Sequence, residues 1–119
     1  MIVSGIHHVS INVSDVDRAL AFYVDVLGLD TLPRPDFAFG GAWLATPDGR
    51  EIHLLVAAVP PDVGQHVAFE VDDIDAAVAT VRAHGGELVG DVENYEDLYR
   101  LCYVRGPERI IVELAQRIG

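Results

Sequence analysis

HVSINVSDVDRALA, running from His8 to Ala21, returns without a gap as HVAFEVDDIDAAVA from His66 to Ala79. Seven of the fourteen aligned positions are identical, where unrelated sequence gives about one, so the chain carries an internal repeat. The repeat continues downstream: PDGREIH ends at His53 and PERIIVE ends at Glu113. Each half offers a histidine at the head of a strand and a second potential ligand about 45 residues later, six positions after a turn proline. Two copies supply four potential metal ligands, His8, His53, His66 and Glu113.

Within each copy the pattern predicts a strand, a helix and three further strands. Ile6 to Val13 alternates, with Val9, Ile11 and Val13 on one face and His8, Ser10 and Asn12 on the other. Ser14 and Asp15 are cap-type residues for a helix running to about Val26, with Val16, Leu20, Tyr23 and Leu27 at helical spacing and Gly28 as the stop. Strands are expected near Thr31 to Phe37 and Ala42 to Thr46, then from Glu51 to Val56 after a turn at Pro47, Asp48 and Gly49. Ala57 to Gly64 reads as a linker. The second copy repeats the order: a strand over Gln65 to Val71, a helix from Ile74 to about His84, strands near Glu87 to Val92 and Tyr99 to Val104, and a last strand from Ile110 to Ala115. The fold class is therefore α+β. Neither half can cover both faces of its own sheet, so one domain spanning 1–119 is expected, with module one at about 1–58 and module two at about 64–119.

Strand parity tests whether the four ligands share a face. Ile52, Leu54 and Val56 face a core, leaving Glu51 and His53 opposite. Val67, Phe69 and Val71 leave His66 and Glu70 opposite, and Ile110, Val112 and Leu114 leave Glu113 opposite. All four candidates fall on the face away from the helices.

Composition excludes several function classes. The formal net charge of −11 and the eight scattered Lys and Arg argue against nucleic acid or an anionic membrane as partner. A single cysteine, Cys102, excludes an internal disulfide framework and fits a reducing compartment. No signal-type start or span-length apolar run is present, which makes a cytoplasmic protein the expectation.

The opening HHVSINVSDVDRALAFYVDVLGL and the second-module start HVAFEVDDID resemble the vicinal oxygen chelate superfamily, which includes glyoxalase I, methylmalonyl-CoA epimerase, extradiol dioxygenases, fosfomycin-resistance enzymes and bleomycin-binding proteins. The resemblance covers almost the whole chain. It implies two tandem βαβββ modules forming a cupped mixed sheet around a divalent metal, with ligands at His8 and His53 from the first module and His66 and Glu113 from the second. His53 stands where the family varies most. The chain departs from the family at the turn before the last strand, where GPER (Gly106 to Arg109) replaces the usual Asp-Pro-Asp-Gly; the spacing from Pro107 to Glu113 is kept.

Three imidazoles and a carboxylate suit Zn, Ni, Co, Mn or Fe as a divalent ion. Four protein ligands on a six-coordinate ion leave two neighbouring positions, which a small-molecule substrate with oxygens on adjacent carbons can chelate. The resemblance then implies a lyase or isomerase of the glyoxalase and epimerase type, stabilising an enediolate with Glu113 as the base. The first alternative is an Fe(II) extradiol-type dioxygenase, which needs three open positions and usually a longer chain. The second is a non-catalytic antibiotic- or metabolite-binding protein, whose members commonly lack the ligands. A fosfomycin-type thiol transferase needs anion-binding Lys and Arg, which this acidic chain scarcely provides. The family also implies a homodimer.

Other polar residues carry blander readings. His7 has the wrong parity, and His84 suits a helix C-terminus. Cys102 lies in an apolar strand and reads as a packed core thiol. Tyr95, Tyr99, Arg100 and Arg105 read as substrate contacts or as surface and edge residues. Glu51 and Glu70 share the ligand face, as bases or as solvated rim carboxylates.

Overall fold

The structure is a computed structural model that describes residues 2–61 and 64–119. The chain divides into two compact units, Met1–Pro60 and Pro61–Gly119, described one at a time below. Of the expected linker, Asp62 and Val63 lie outside the described residues.

In the first unit β1 (His8–Val13) leads into α1 (Val16–Leu20), followed by β2 (Asp30–Leu32), β3 (Gly41–Ala45) and β4 (Glu51–Val56). The strand order is β1-β4-β3-β2, with β1 parallel to β4 and the other pairs antiparallel. Asp15 caps α1, its carboxylate accepting from Arg18 N at 3.1 Å. α1 does not continue as a regular helix to Val26: from Ala21 to Val26 the coil widens to a π-helix, with Leu27 N donating to Phe22 O at 3.0 Å. The extra residue in that turn rotates the apolar stripe. Ala19, Phe22 and Tyr23 are buried, while Val16, Leu20 and Leu27, expected to share the buried face with Tyr23, are only half-buried. Gly28 ends the segment at a φ of 82°, a conformation that suits a residue without Cβ. The core is completed by Val13, Leu29, Leu44, Ile52 and Leu54; Val56, expected inside, is exposed at the strand end. β2 is also shorter than expected, because Pro33 and Pro35 remove ladder donors immediately after Leu32.

The second unit repeats this plan. β5 (Val67–Glu70), α2 (Ile74–Ala83), β6 (Glu87–Tyr95), β7 (Tyr99–Arg105) and β8 (Ile111–Arg117) give the order β5-β8-β7-β6, again with the first pair parallel. Asp73 caps α2 by accepting from Asp75 N and Ala76 N at 3.0 and 3.1 Å. Ile74, Val78 and Val81 from the helix are buried, as are Cys102, Val104, Val112 and Leu114 from the strands. Gln116 Oε1 accepts from Ile74 N at 2.8 Å, and Arg100 pairs with Asp75 at 3.2 Å. These bonds tie the helix to its face of the sheet. β6 runs three residues further than expected, absorbing a register shift between Val89 and Glu93. The Pro107–Arg109 turn is a short 3₁₀ segment, and β8 begins at Ile111 rather than Ile110. Among the described residues no helix is long and apolar enough to cross a membrane.

Candidate metal and substrate site

Each unit brings its own two candidate ligands together. In the first, β1 and β4 lie side by side, with His8 opposite Glu51 and Ser10 opposite His53. The His8 and His53 rings stack at 4.0 Å between centroids and 12° between planes. His53 is gripped from its other neighbour strand as well: Trp43, its cross-strand partner on β3, stacks at 4.4 Å and 9°. His53 Nε2 donates to Glu51 Oε1 at 2.8 Å, which holds the Glu51 carboxyl below the ordinary carboxylate range. That bond leaves Nδ1 as the nitrogen His53 can offer an ion. His7 lies just before β1, with its Nδ1 2.9 Å from His8 Nδ1.

In the second unit His66 does not lie within the strand as expected. β5 begins one residue later, and His66 stands at its mouth, where its Nδ1 donates to Gly64 O at 2.9 Å. Its Nε2 is 2.9 Å from Glu113 Oε1. Glu113 is 7% exposed, the one buried charged residue in the described core. Its cross-strand neighbour Tyr103 stands beside the same carboxylate. Burial first, then the charge of Glu113, raise the Tyr103 phenol above its ordinary range. The His66 and Tyr103 rings meet edge to face at 5.5 Å. Glu113 opens into a cleft of about 250 Å³ lined also by Ala68, Glu70, Tyr99, Ala115 and Arg117.

The second pair suits an ion. An imidazole nitrogen and a carboxylate oxygen, each about 2.1 Å from one metal in adjacent coordination positions, lie about 3 Å apart. His66 Nε2 and Glu113 Oε1 have that separation. The Gly64 carbonyl fixes the proton on Nδ1, which directs the lone pair of neutral His66 to Nε2. Within neither unit does a third His, Cys, Asp or Glu join its pair to form a metal-holding group among the described residues.

Tyr103 escaped the sequence reading. The signal was available: Trp43 and Tyr103 each stand ten residues before the second ligand of their half, so the repeat places an aromatic side chain beside that ligand twice. The remaining polar residues sort by face. Arg100 points to the helix side and is bonded to Asp75. Tyr99 lines the cleft and stacks with Tyr95 at 5.3 Å. Glu70 pairs with Arg117 at 2.7 Å at the exposed rim. His84 caps α2, its Nδ1 on Thr80 O. Cys102 is fully buried, and burial, then the charge of Glu113, raise its thiol.

The Glyoxalase/Bleomycin resistance protein/Dioxygenase superfamily profile matches residues 5–114, a span that holds both candidate pairs. The chain belongs to that superfamily. Among its superfamily relatives, a lactoylglutathione lyase of Haemophilus influenzae is 34% identical over 92% of this chain and 90% of its own. A metallothiol transferase FosB of Staphylococcus haemolyticus is 31% identical over 61% of this chain and 53% of its own. A crystal structure of a glyoxalase family protein from Bacillus cereus is 33% identical, with a TM-score of 0.78 over 98% of this chain and 96% of that one. The two four-stranded mixed sheets are thus the α+β fold of the superfamily.

Proposed function

We propose that this protein is a metal-dependent lyase or isomerase that acts on a small molecule carrying oxygens on adjacent carbons. The observation that carries the reading is the buried Glu113 carboxylate, 2.9 Å from His66 Nε2 at the head of a cleft. In this reading His8, His53, His66 and Glu113 hold a divalent transition metal (Zn, Ni, Co, Mn or Fe), and the protein works as a homodimer. The similarity to a lactoylglutathione lyase and to a metallothiol transferase supports a metal-assisted reaction without choosing between them.

The bound ion would supply Lewis-acid polarisation of the two substrate oxygens. The protein's own part is proton handling. Glu113 takes the proton from the carbon beside the carbonyl and returns it to the neighbouring carbon. Its burial limits its access to water, and Tyr103 packs beside it from the neighbouring strand. His66, anchored by Gly64 O, presents Nε2 rather than Nδ1 to the site.

Metal content of natively purified protein, measured by plasma mass spectrometry, tests the ligands. Near-stoichiometric transition metal is expected in the wild type and none in the variant with His8, His66 and Glu113 replaced by alanine; wild-type protein that carries and takes up no metal overturns the reading. Glu113→Gln tests the base. Solvent deuterium exchange at the carbon beside the carbonyl of hydroxyacetone should slow by about 10²- to 10⁴-fold, and unchanged exchange would remove Glu113 from that role.

A further inference from the structure

The segment between β2 and β3 is built around one cation. Arg34 Nη2 donates to Phe39 O at 2.8 Å, and its guanidinium carbon lies 4.8 Å from the Phe37 ring centroid and 5.2 Å from that of Phe39. The two phenyl rings are nearly parallel, 4° apart with centroids at 5.1 Å. Arg34 Nε is buried without a hydrogen-bond partner in the structure. Burying that donor unpaired is costly, and the structure it supports leaves two phenyl rings facing solvent: Phe37 is 39% and Phe39 50% exposed. A chain segment that merely had to close a loop would not need this arrangement. Trp43 continues the surface, 6.0 Å from Phe37 and tilted by 53°, and stacks in turn on His53. An unbroken aromatic run therefore leads from exposed Phe39 through Phe37 and Trp43 to a proposed metal ligand, all within the first unit.

We infer that Phe37, Phe39 and Trp43 form a shelf for an aryl group, so that the substrate class is an aryl-substituted compound with oxygens on adjacent carbons. The substrate class rests on the function proposed above; the shelf itself does not. Ring faces offer stacking and apolar burial to a planar group. The cation of this segment, Arg34, is committed to the shelf. In a chain of net charge −11, an anionic group is accordingly disfavoured here, and neutral aryl compounds are the probes of choice. Arg34 is a positioning residue that holds the two phenyl rings parallel.

Two neutral ketols that differ only in a phenyl and a methyl group separate the possibilities. As-purified protein is titrated with 2-hydroxyacetophenone and with hydroxyacetone by equilibrium dialysis, with the emission of Trp43, the only tryptophan, as a local reporter. The phenyl ketol should bind about 10-fold tighter or better and change the Trp43 emission. Replacing both Phe37 and Phe39 by alanine should abolish the preference while circular dichroism, thermal midpoint, oligomeric state and metal content stay unchanged. Equal binding of the two ketols by the wild type overturns the shelf, as does a preference that survives in the variant. A variant that changes oligomeric state also overturns it, because the rings then meet a second copy. An aryl preference in wild-type protein that takes up no metal would keep the shelf and sink the metal reading; metal without the preference would do the reverse.

Discussion

Arg109 holds a φ of 68° at the position where the first half of the repeat has Gly49 at 84°. A side chain with Cβ is strained there, and glycine is not. Arg109→Gly should therefore stabilise the fold by roughly 0.5–1 kcal/mol, the relief of strain exceeding the added freedom of the unfolded chain; urea denaturation checks this, and a lower midpoint would contradict it. The departure from Asp-Pro-Asp-Gly was visible in the sequence, but that the backbone keeps its left-handed turn without the glycine was not. Tyr103 supplies a second test. Tyr103→Phe keeps the ring and deletes the hydroxyl beside Glu113, and metal affinity by competition with a chelator should drop about 10-fold. The shared face of His8 and His53, whose rings stack, was legible because strand parity is a strict period of two. Tyr103 was not, because it lies in the uninterrupted apolar run Leu101 to Val104, where no alternation with polar residues marks a face.

The π-helical stretch Ala21–Val26 carries a cost that the sequence does not display. It delivers Tyr23 into the core with 1% exposure, and its hydroxyl has no hydrogen-bond partner in the structure. Tyr23→Phe should stabilise the protein by about 1 kcal/mol, since an unsatisfied buried hydroxyl is lost. Burial also pushes the Tyr23 phenol from 10.0 to about 12. A folded-state value above the unfolded one means that the neutral form is favoured by folding. Its contribution is complete below pH 10 and disappears as pH rises towards 12. Tyr23→Phe should flatten the fall in stability across that window, as measured by denaturation at fixed pH steps. Element identity and order were readable from periodicity, caps and turn residues, because those signals are local. The widened turn was not, because Val16, Leu20, Tyr23 and Leu27 fit a regular helix equally well, and tertiary packing of Phe22 and Tyr23 decided the matter.

At the scale of the whole molecule, 19 acidic residues against 8 basic ones set up a field that gathers cations and repels anions. Metal uptake should feel it: the apparent association constant should fall several-fold between about 20 and 200 mM sodium chloride as the field is screened. Calorimetric titration at the two salt levels checks this, and an unchanged constant would confine the electrostatics to the ligands themselves. The duplicated plan, with equivalent strand orders in the two units, was legible from seven identities in fourteen positions; the disposition of the aromatic side chains along Pro33–Gly40 was not, because loop conformation follows from contacts rather than period. The burial of Cys102 has a practical corollary. Its thiol is fully shielded and disfavoured as thiolate, and the chain contains no lysine. The folded protein is therefore nearly silent to maleimides and to lysine-directed esters, so a cysteine or lysine introduced at any exposed position becomes a unique handle for dyes, spin labels or crosslinkers.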